Sequence, residues 1–496
     1  MKKETFLLLF GFLLQANFSL AQTFQITIPH PHENEATGVV QTSSGDYLIA
    51  TTQGNEPSFN AHLLNNTLKI YKLAEETGQP TDSLEWTAPA DFGIAQLVRM
   101  AALPGATDVF VCYGSYNEEE TSAKNPFILR IDADLNVLDH TVFGQPDRRE
   151  VFYDFLSLSS GNALCYGCFV SGPQDNCDSL YQIEMTGTGE VITERVLPLF
   201  SDSLDSPRLT EMVDTYVLED YFGKATAYLD KETWEQTAYN GDPYGQANGD
   251  TYYIFRGYPH SVVHPLNENL LVTPGEFSWL EPDQNHHLHH GIYIRSQTGE
   301  LVDSIILQTA EDTQYAHDNF LATSDDNFVI LAHPSAGLFL HENYLLQKFQ
   351  PDGEIIWERR LETANGQLFN IKKTKETLDG GFILVGAVIA ENVNSLESFI
   401  LKLNTDGEII SSVPNFLTVA KAHVYPTLVD TELNIDCTDC TDSRAFLTDL
   451  NGKLLQSQKL NADKTTLSLS DLAAGIYFVS LEQNGRIFQT RKVVKK

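Results

Sequence analysis

A two-part phrase recurs between about residue 23 and residue 415, and no other feature restricts the fold of this chain as much. Its first part is a tight polar turn followed by an apolar strand. Ser44-Gly45-Asp46 precedes Tyr47-Leu48-Ile49-Ala50, and Ser160-Gly161-Asn162 precedes Ala163-Leu164-Cys165. Asn267-Glu268-Asn269 leads into Leu270-Leu271-Val272, Asp325-Asp326-Asn327 into Phe328-Val329-Ile330-Leu331, and Asp379-Gly380-Gly381 into Phe382-Ile383-Leu384-Val385-Gly386. Asp-Gly and Gly-Asn pairs accept the positive φ that two-residue hairpin turns demand, and the β-branched and aromatic runs beyond them are strand-like in length and type. The second part is a strand, a turn and a return strand. Phe127-Ile128-Leu129-Arg130-Ile131 turns at Asp134-Leu135-Asn136, and Ile292-Tyr293-Ile294 at Thr298-Gly299. Leu345-Leu346-Gln347-Lys348-Phe349 turns at Asp352-Gly353 and returns through Ile355-Ile356-Trp357, and Phe399-Ile400-Leu401-Lys402-Leu403 turns at Asp406-Gly407. Each full phrase is thus about four short antiparallel strands.

Units of this kind fall near residues 37–86, 96–144, 153–198, 208–242, 258–308, 318–362 and 367–413. The fourth is degenerate, with Ala225-Thr226-Ala227-Tyr228-Leu229-Asp230 as its best-preserved piece. Four strands per unit at this spacing predict an all-β fold, a β-propeller over residues 22–415 with seven blades, six and eight being the neighbouring counts. A linear solenoid fits less well, because its terminal repeats need polar caps and the last unit is among the most apolar. Thr23-Phe24-Gln25-Ile26-Thr27-Ile28 is placed to close such a ring by adding a strand to the last blade. The phrases Asp379–Gly386 and Ile400–Ile409 resemble propeller repeats of secreted Bacteroidota proteins, a resemblance specific to fold and poor in function, since propellers host many unrelated activities.

The N-terminus predicts export. Met1-Lys2-Lys3 is a basic start, Phe6 to Leu14 is apolar, and Ser19-Leu20-Ala21 places small residues before Gln22, so residues 1–21 read as a signal peptide. Spanning a bilayer takes about twenty apolar residues, and no segment of this chain reaches that, so no transmembrane segment is expected. Asp and Glu outnumber Lys and Arg by 67 to 32, a net charge of −35 that argues against nucleic acid and anionic lipid as partners. Six cysteines in an exported chain predict disulfides. Cys168 and Cys177 are placed to pair across a hairpin mouth, and Cys437 and Cys440, separated by Thr438-Asp439, to pair locally.

A linker over 416–422 leads to a second pattern. Leu433-Asn434-Ile435, Arg444-Ala445-Phe446-Leu447, Lys453-Leu454-Leu455, Thr466-Leu467-Ser468-Leu469, Ile476–Leu481 and Arg486-Ile487-Phe488 are short alternating strands, with hairpin turns at Asn451-Gly452 and Asn484-Gly485. So many strands in a short segment predict a small Ig-like β-sandwich over 423–496. Val424-Tyr425-Pro426, Leu447-Thr448-Asp449-Leu450-Asn451-Gly452, Leu472-Ala473-Ala474-Gly475-Ile476-Tyr477 and the closing Lys492-Val493-Val494-Lys495-Lys496 together resemble the C-terminal sorting domain carried by cargo of the type IX secretion system of Bacteroidota. The resemblance assigns the sorting-signal motif to Tyr425, Pro426, Asp449, Gly452, Leu472, Gly475, Tyr477, Lys492 and Lys495. It implies the type IX translocon and its sortase-like machinery as partners, and a secreted or outer-membrane-surface location reached through the periplasm. Tyr425-Pro426-Thr427-Leu428 departs from the usual Tyr-Pro-Asn-Pro entry of that family.

Candidate chemistry in the body is sparse. His286-His287-Leu288-His289-His290 is the densest ionisable cluster. As a strand it would put His287 and His289 on one face and His286 and His290 on the other, a pattern able to chelate a divalent metal, with His260 and His264 in the same unit. The preceding Pro282-Asp283-Gln284-Asn285 favours instead an exposed loop of solvated imidazoles. Asp132-Ala133-Asp134-Leu135-Asn136 starts like a calcium loop but lacks its glycine and distal glutamate, and aligns with the repeat's turn. No nucleophile elbow, zinc-protease helix or phosphate loop occurs, and no carboxylate pair stands out, so no catalytic residue and no cofactor is assigned. The expected function is a binding or adhesion scaffold for an unknown extracellular ligand, exported by its end domain. The alternative is a glycan-acting hydrolase or lyase with its site in the propeller funnel.

Overall fold

The computed structural model describes residues 23–496 apart from 29–33, 55–66, 119–123, 145–148, 171–176, 199–207, 220–224, 242–246, 257–263, 281–285, 308–312, 335–340, 390–395, 410–420, 439–442 and a few shorter stretches. The expected leader therefore lies outside the described residues. Every regular element among the described residues is a β-strand, and the chain divides into two compact units, 1–410 and 411–496.

The first unit is a series of antiparallel meanders, numbered here as sheets 1 to 7 in chain order. Sheet 1 is Asn34–Gln41, Tyr47–Gln53, Thr67–Leu73 and Pro80–Trp86. Sheet 2 is Val109–Glu118, Lys124–Asp132 and Val137–Val142, with Phe92–Ile94 and Arg99–Ala102 both on its first edge. A single parallel bridge, Arg149 to Lys124, joins it to sheet 3, which is Arg149–Ser157, Ala163–Val170, Ser179–Met185 and Val191–Pro198. Sheet 4 is Arg208–Glu211, Thr215–Glu219, Ala225–Asp230 and Gln236–Gly241. The degenerate fourth phrase thus folds as a full four-stranded sheet. Sheet 5 is Leu270–Leu280, His286–Ser296 and Leu301–Ile306, with Ile254–Arg256 and His264–Asn267 sharing its first edge. Sheet 6 is Thr313–Ala322, Phe328–Pro334, Asn343–Phe349 and Ile355–Glu362. Sheet 7 is Phe369–Glu376, Phe382–Ile389 and Leu396–Leu403, and its fourth strand is Phe24–Ile28 from the other end of the unit, antiparallel with Phe24 opposite Lys402 and Ile28 opposite Ser398.

The turns are one residue longer than the two-residue hairpins read from the sequence. Gly45 N–H bonds Thr42 carbonyl and Thr42 N–H bonds Asp46 carbonyl, and the same pair of bonds recurs at 158–162, 323–327 and 377–381 and, in the second phrase, at 132–136, 186–190, 350–354 and 404–408. This is a three-residue loop, a type I turn closed by one residue of positive φ with a bulge. Glycine fills that slot at 45, 161, 189, 353, 380 and 407, whereas Leu135 and Asp326 occupy it without glycine's freedom. Asp132 compensates: its carboxylate accepts the N–H groups of Asp134 and Asn136 and the Asn136 amide, so this acidic stretch is a hairpin turn.

One irregularity repeats at the same level of the first strands. The register shifts between Ala36 and Gly38, Phe152 and Asp154, Tyr315 and Phe320, and Ile371 and Lys373. In sheets 2 and 5 the first edge is interrupted there altogether. The facing strand carries Gly167 in sheet 3 and Gly386 in sheet 7, where a β-carbon would meet the carbonyl oxygen of Val151 or Asn370 at 1.8 Å. Bulges re-aim side chains and bend a strand, and this one sits where the first strands approach each other. Those of sheets 6, 7, 1 and 2 touch in that order, as do those of sheets 3, 4 and 5.

The cores lie between consecutive sheets. Leu48, Leu68, Ile70, Phe110, Leu129 and their neighbours join sheets 1 and 2; Val111, Tyr113, Cys165 and Ile183 join 2 and 3; Leu164, Tyr166, Leu218 and Leu229 join 3 and 4. Val217, Tyr228 and Leu271 link 4 to 5, Val272, Ile292, Phe328 and Phe349 link 5 to 6, and Leu331, Leu346, Phe382 and Leu401 link 6 to 7. The last cluster returns to the start, since Phe24, Ile28, Ile383, Val385 and Ile400 of sheet 7 pack on Val39, Tyr47 and Ile49 of sheet 1.

Two polar devices repeat with the sheets. A turn serine donates both its N–H and its hydroxyl to a carboxylate of the next sheet: Ser43 to Asp108, Ser159 to Glu211 and Ser324 to Glu376. Within a sheet, the turn aspartate pairs with a lysine of the third strand, as Asp46–Lys72 (3.7 Å), Asp325–Lys348 (2.7 Å) and Asp379–Lys402 (2.9 Å). Cys168 and Cys177 form the expected disulfide, while Cys112 and Cys165 are buried free thiols whose ionisation burial disfavours. The ten-residue loop that this disulfide closes corresponds to about 2.5–3 kcal/mol in chain-entropy terms.

The second unit has two sheets on one core. Lys421–Tyr425, Glu432–Thr438 and Lys464–Ser468 form the first, and Leu428–Val429, Arg486–Lys495, Gly475–Gln483, Ser443–Thr448 and Leu454–Lys459 form the second in that spatial order. Leu433, Ile435 and Leu467 of the one face Leu447, Val479, Leu481 and Val493 of the other. The Cys437–Cys440 pair and the turns at Asn451-Gly452 and Asn484-Gly485 lie outside the described residues or side chains.

Candidate functional site

The histidine run is a strand, not the loop favoured from its flanking residues. His286–Ser296 pairs along its whole length with Leu270–Leu280, His290 opposite Glu276 and His286 opposite Leu280. His290 is fully buried, with Nδ1 on the Thr313 hydroxyl at 2.8 Å and Nε2 on the Gln347 side-chain oxygen at 2.5 Å. Burial, together with the neighbouring His289 and His333, pushes its pKa down to about 4. The side chains of His286 and His287 lie outside the description, as does His260. His264 sits on the rings of Phe320 and Phe328, and its Nε2 accepts the Ala322 N–H at 3.3 Å, so burial pushes it too down to about 4. Among the described residues no group of three or more His, Cys, Asp or Glu side chains is arranged to hold a metal ion.

A different cluster forms where the bulged first strands meet, and nothing in the sequence marked it. Asp154 follows the bulge of sheet 3. Its carboxylate accepts Arg208 Nη1 from sheet 4 at 2.6 Å, the Tyr113 hydroxyl from sheet 2 at 3.1 Å and the Phe155 N–H at 2.9 Å. Arg99, at the resumption of the interrupted edge of sheet 2, brings Nη1 to 3.8 Å from the same carboxylate. Lys375 of sheet 7 reaches across to the carbonyl of Met100 at 3.5 Å. Burial and the Lys373 charge push Lys375 down to about 8, and Asp154 is near enough to oppose them. Arg208 is almost fully buried, while Arg99 and Asp154 retain partial exposure. Burial, with the Asp154 charge, also drives the Tyr113 hydroxyl well above its usual range. The charged members Arg99, Asp154, Arg208 and Lys375 come from four different sheets and are separated by scores of residues, so no spacing rule links them.

Two further first-strand carboxylates, Glu35 and Glu211, are paired with lysines. Glu35 pairs with Lys372 at 3.0 Å, and Glu211 with Lys231 at 2.7 Å and with Ser159. Burial pushes Glu211 up, but Lys231 and the Ser159 donors outweigh it and hold it below the usual carboxylate range.

The residues that the resemblance assigns to a sorting motif have the following contacts. Tyr477 is buried and donates its hydroxyl to the Ala473 carbonyl at 2.7 Å, and Leu472 packs on the same core. Gly475 opens the strand that pairs with the C-terminal strand. Tyr425 donates to Asp436 at 2.6 Å, and the Asp449 carboxylate accepts the Lys453 N–H at 2.9 Å. Lys495 Nζ donates to the Asp430 carbonyl, beside the parallel pairing of Val429 with Lys495, whereas Lys492 is exposed. Pro426 and Gly452 lie outside the described residues.

Residues 423–496 match the family described as the secretion system C-terminal sorting domain. The end unit is therefore a type IX sorting domain, and the chain carries the export signal of that system. No curated protein matches the chain. Among solved structures, an α-L-arabinofuranosidase of Fusarium graminearum is similar at 10% identity and TM-score 0.42, over 77% of this chain and 97% of the other. An α-L-arabinanase of Penicillium chrysogenum is similar at 10% identity and TM-score 0.41, over 77% and 97%. The β-propeller domain of Cps50 (Swd1) from Myceliophthora thermophila is similar at 11% identity and TM-score 0.40, over 76% and 98%.

Proposed function

We propose that this protein is type IX cargo whose body is a closed seven-bladed β-propeller serving as a binding module for an extracellular ligand. The observation that carries the export half is the sorting-domain match over 423–496. Ring closure is supported by the pairing of Phe24–Ile28 with Leu396–Leu403 and by the core that packs sheet 7 on sheet 1. Seven blades follow from taking each of the seven sheets as one blade. In this reading residues 1–21 direct passage to the periplasm, 22–415 form the ring and 416–422 the linker. Residues 423–496 form an Ig-like sandwich that docks on the translocon and its sortase-like machinery, leaving the body secreted or on the outer surface.

Binding is favoured over catalysis by the first-strand carboxylates. General acid–base hydrolysis of a glycan uses two carboxylates flanking the scissile bond, and three of the first-strand carboxylates, Glu35, Asp154 and Glu211, are each paired with a cation while Glu376 is bonded to Ser324. A metal on the His286–His290 strand would draw the alternative forward, and metal analysis of the purified protein reads this directly: stoichiometric zinc or a similar ion would reassign that strand as a metal centre. The export reading is tested for sufficiency by joining residues 411–496 to a fluorescent reporter behind residues 1–22, in a bacterium with type IX machinery. Delivery to the surface or medium is expected. Retention of the reporter inside the cell would overturn the reading.

A further inference from the structure

We propose that the outer edge of Leu396–Leu403 in sheet 7 is a strand-acceptor site keyed to an aromatic side chain. Phe24–Ile28 holds this site because the chain's own continuation beyond Ile409 lacks the key, which leaves residues 410–420 to connect the body to the sorting domain. The proposal rests on reading the body as a closed ring and adds what selects the strand that closes it.

Sheet 6 contains the same slot and shows what it demands. Counting back from the turn, Phe24 opposite Lys402 takes the place that Trp357 takes opposite Lys348. Ile28 opposite Ser398 takes the place of Leu361 opposite Tyr344, and all four of these apolar side chains are buried. The aromatic contacts also coincide. The Phe24 ring meets Tyr47 edge-on at 5.9 Å and the Trp357 ring meets Phe382 edge-on at 5.7 Å, each partner being the first residue of the second strand of the next sheet. A turn glycine of that next sheet lies against each ring: a β-carbon on Gly78 would stand 2.3 Å from Phe24, and one on Gly407 2.7 Å from Trp357. The slot is therefore a pocket for a ring, closed by a residue without a side chain.

A local return strand has the entropic advantage in reaching this slot. The turn at 404–408 closes with the same bonds as the one at 350–354, and Arg359 of sheet 6 holds Glu408 at 3.0 Å. A return from that turn closes a three-residue loop, whereas Phe24 comes from the other end of the unit, so loop-closure entropy favours the local strand. Side chains must reverse that preference. Continued in the register of sheet 6, the residues after Ile409 would put Ser411 in the place of Trp357 and Asn415 in the place of Leu361, with Pro414, which has no N–H to donate, between them. Serine would leave the ring pocket empty, and an amide enclosed without a partner is costly. Phe24 and Ile28 supply what that continuation lacks.

The test uses the mature full chain and reads hydrogen exchange of the peptide spanning residues 22–30 by mass spectrometry. In the wild type its strand amides should exchange at least about a hundredfold more slowly than in an unfolded chain. Phe24→Trp, which copies sheet 6, should keep that protection, and Phe24→Ser should lose at least about tenfold of it. A further variant combines Ser411→Trp, Pro414→Arg and Asn415→Leu, which copies Trp357, Arg360 and Leu361 into the continuation. Its 22–30 peptide should exchange within about tenfold of the unfolded rate. Its delivery to the surface or medium should fall, and a short Gly-Ser insertion after residue 415 should restore it. Protection that survives either Phe24→Ser or the triple substitution would overturn the proposal. Undiminished delivery of a triple variant whose 22–30 peptide has lost protection would overturn the role given to residues 410–420. A wild-type peptide without protection would instead refute ring closure itself, so the two failures are distinguishable.

Discussion

Asp379 and Lys402 form the most deeply placed of the repeated aspartate–lysine pairs, and substituting each partner separately should have unequal effects. Lys402 is 1% exposed and Asp379 22% exposed. Removing the carboxylate, as in Asp379→Asn, leaves a buried ammonium whose remaining partner is the Leu403 carbonyl. Orphaning a buried charge costs about 3–5 kcal/mol, and that carbonyl places this case near the lower end, about 3 kcal/mol. Removing the cation, as in Lys402→Met, leaves a carboxylate that keeps the Thr377 hydroxyl, the Gly381 N–H and some water. Methionine fills the lysine stem's volume, so the loss should be about 1.5–2 kcal/mol, the lower end of the range of a hydrogen bond to a charged group. The double variant should lose less than the sum by at least about 1 kcal/mol. The loss in Asp379→Asn should also shrink as pH rises from 7 towards 10. An orphaned buried lysine has a folded pKa below its unfolded one, so the unfolded chain binds more protons and stability increases with pH. All four tryptophans, at 86, 234, 279 and 357, lie in the body, so urea unfolding followed by tryptophan fluorescence reports on it alone. Additive losses, or a greater loss in Lys402→Met, would refute the assignment of Lys402 as the desolvated partner.

Two further outcomes follow from burial. Phe24→Ala and Ile28→Ala remove the two most buried contacts of the strand Phe24–Ile28, and each should cost about 2–4 kcal/mol of the whole body's stability in the same urea experiment; an unchanged midpoint would show that this strand does not hold sheet 7 to sheet 1. His290 and His341 are buried with pKa values near 4, His341 through burial and the His333 ring stacked on it at 3.7 Å. Folded values below the unfolded 6.5 mean full stability above pH 6.5 and progressive loss as pH falls towards 4, on the order of 3 kcal/mol for His290. Melting temperatures of His290→Gln should therefore start lower at pH 7.5 but decline less steeply to pH 4.5, and parallel declines would sink this.

The sheets were legible because their turns and strands are local. Asp379-Gly380-Gly381 and Asp406-Gly407 announce loops, and the alternation beyond them announces strands. The closing strand was legible for a related reason, as an unpaired apolar segment ahead of the first phrase. Sheet 4 was underestimated because its second turn has Trp234 at the positive-φ position in place of glycine, a substitution supported by Asp230 accepting the Glu232 and Thr233 N–H groups. The His286–His290 strand was read towards a loop because its pairing is set by the long facing strand Leu270–Leu280, a tertiary fact. The Arg99–Asp154–Arg208–Lys375 cluster was invisible for the strongest reason. Its members share no motif and meet only after four sheets have packed.

Export is the central claim, and the direct measurement is fractionation of cells with type IX machinery expressing either the full chain or one ending at residue 410. The boundary between the two compact units lies there, so the truncation leaves the first unit whole. The full chain should reach the surface or medium while the shortened one accumulates inside in soluble, folded form. Equal delivery of both would contradict it.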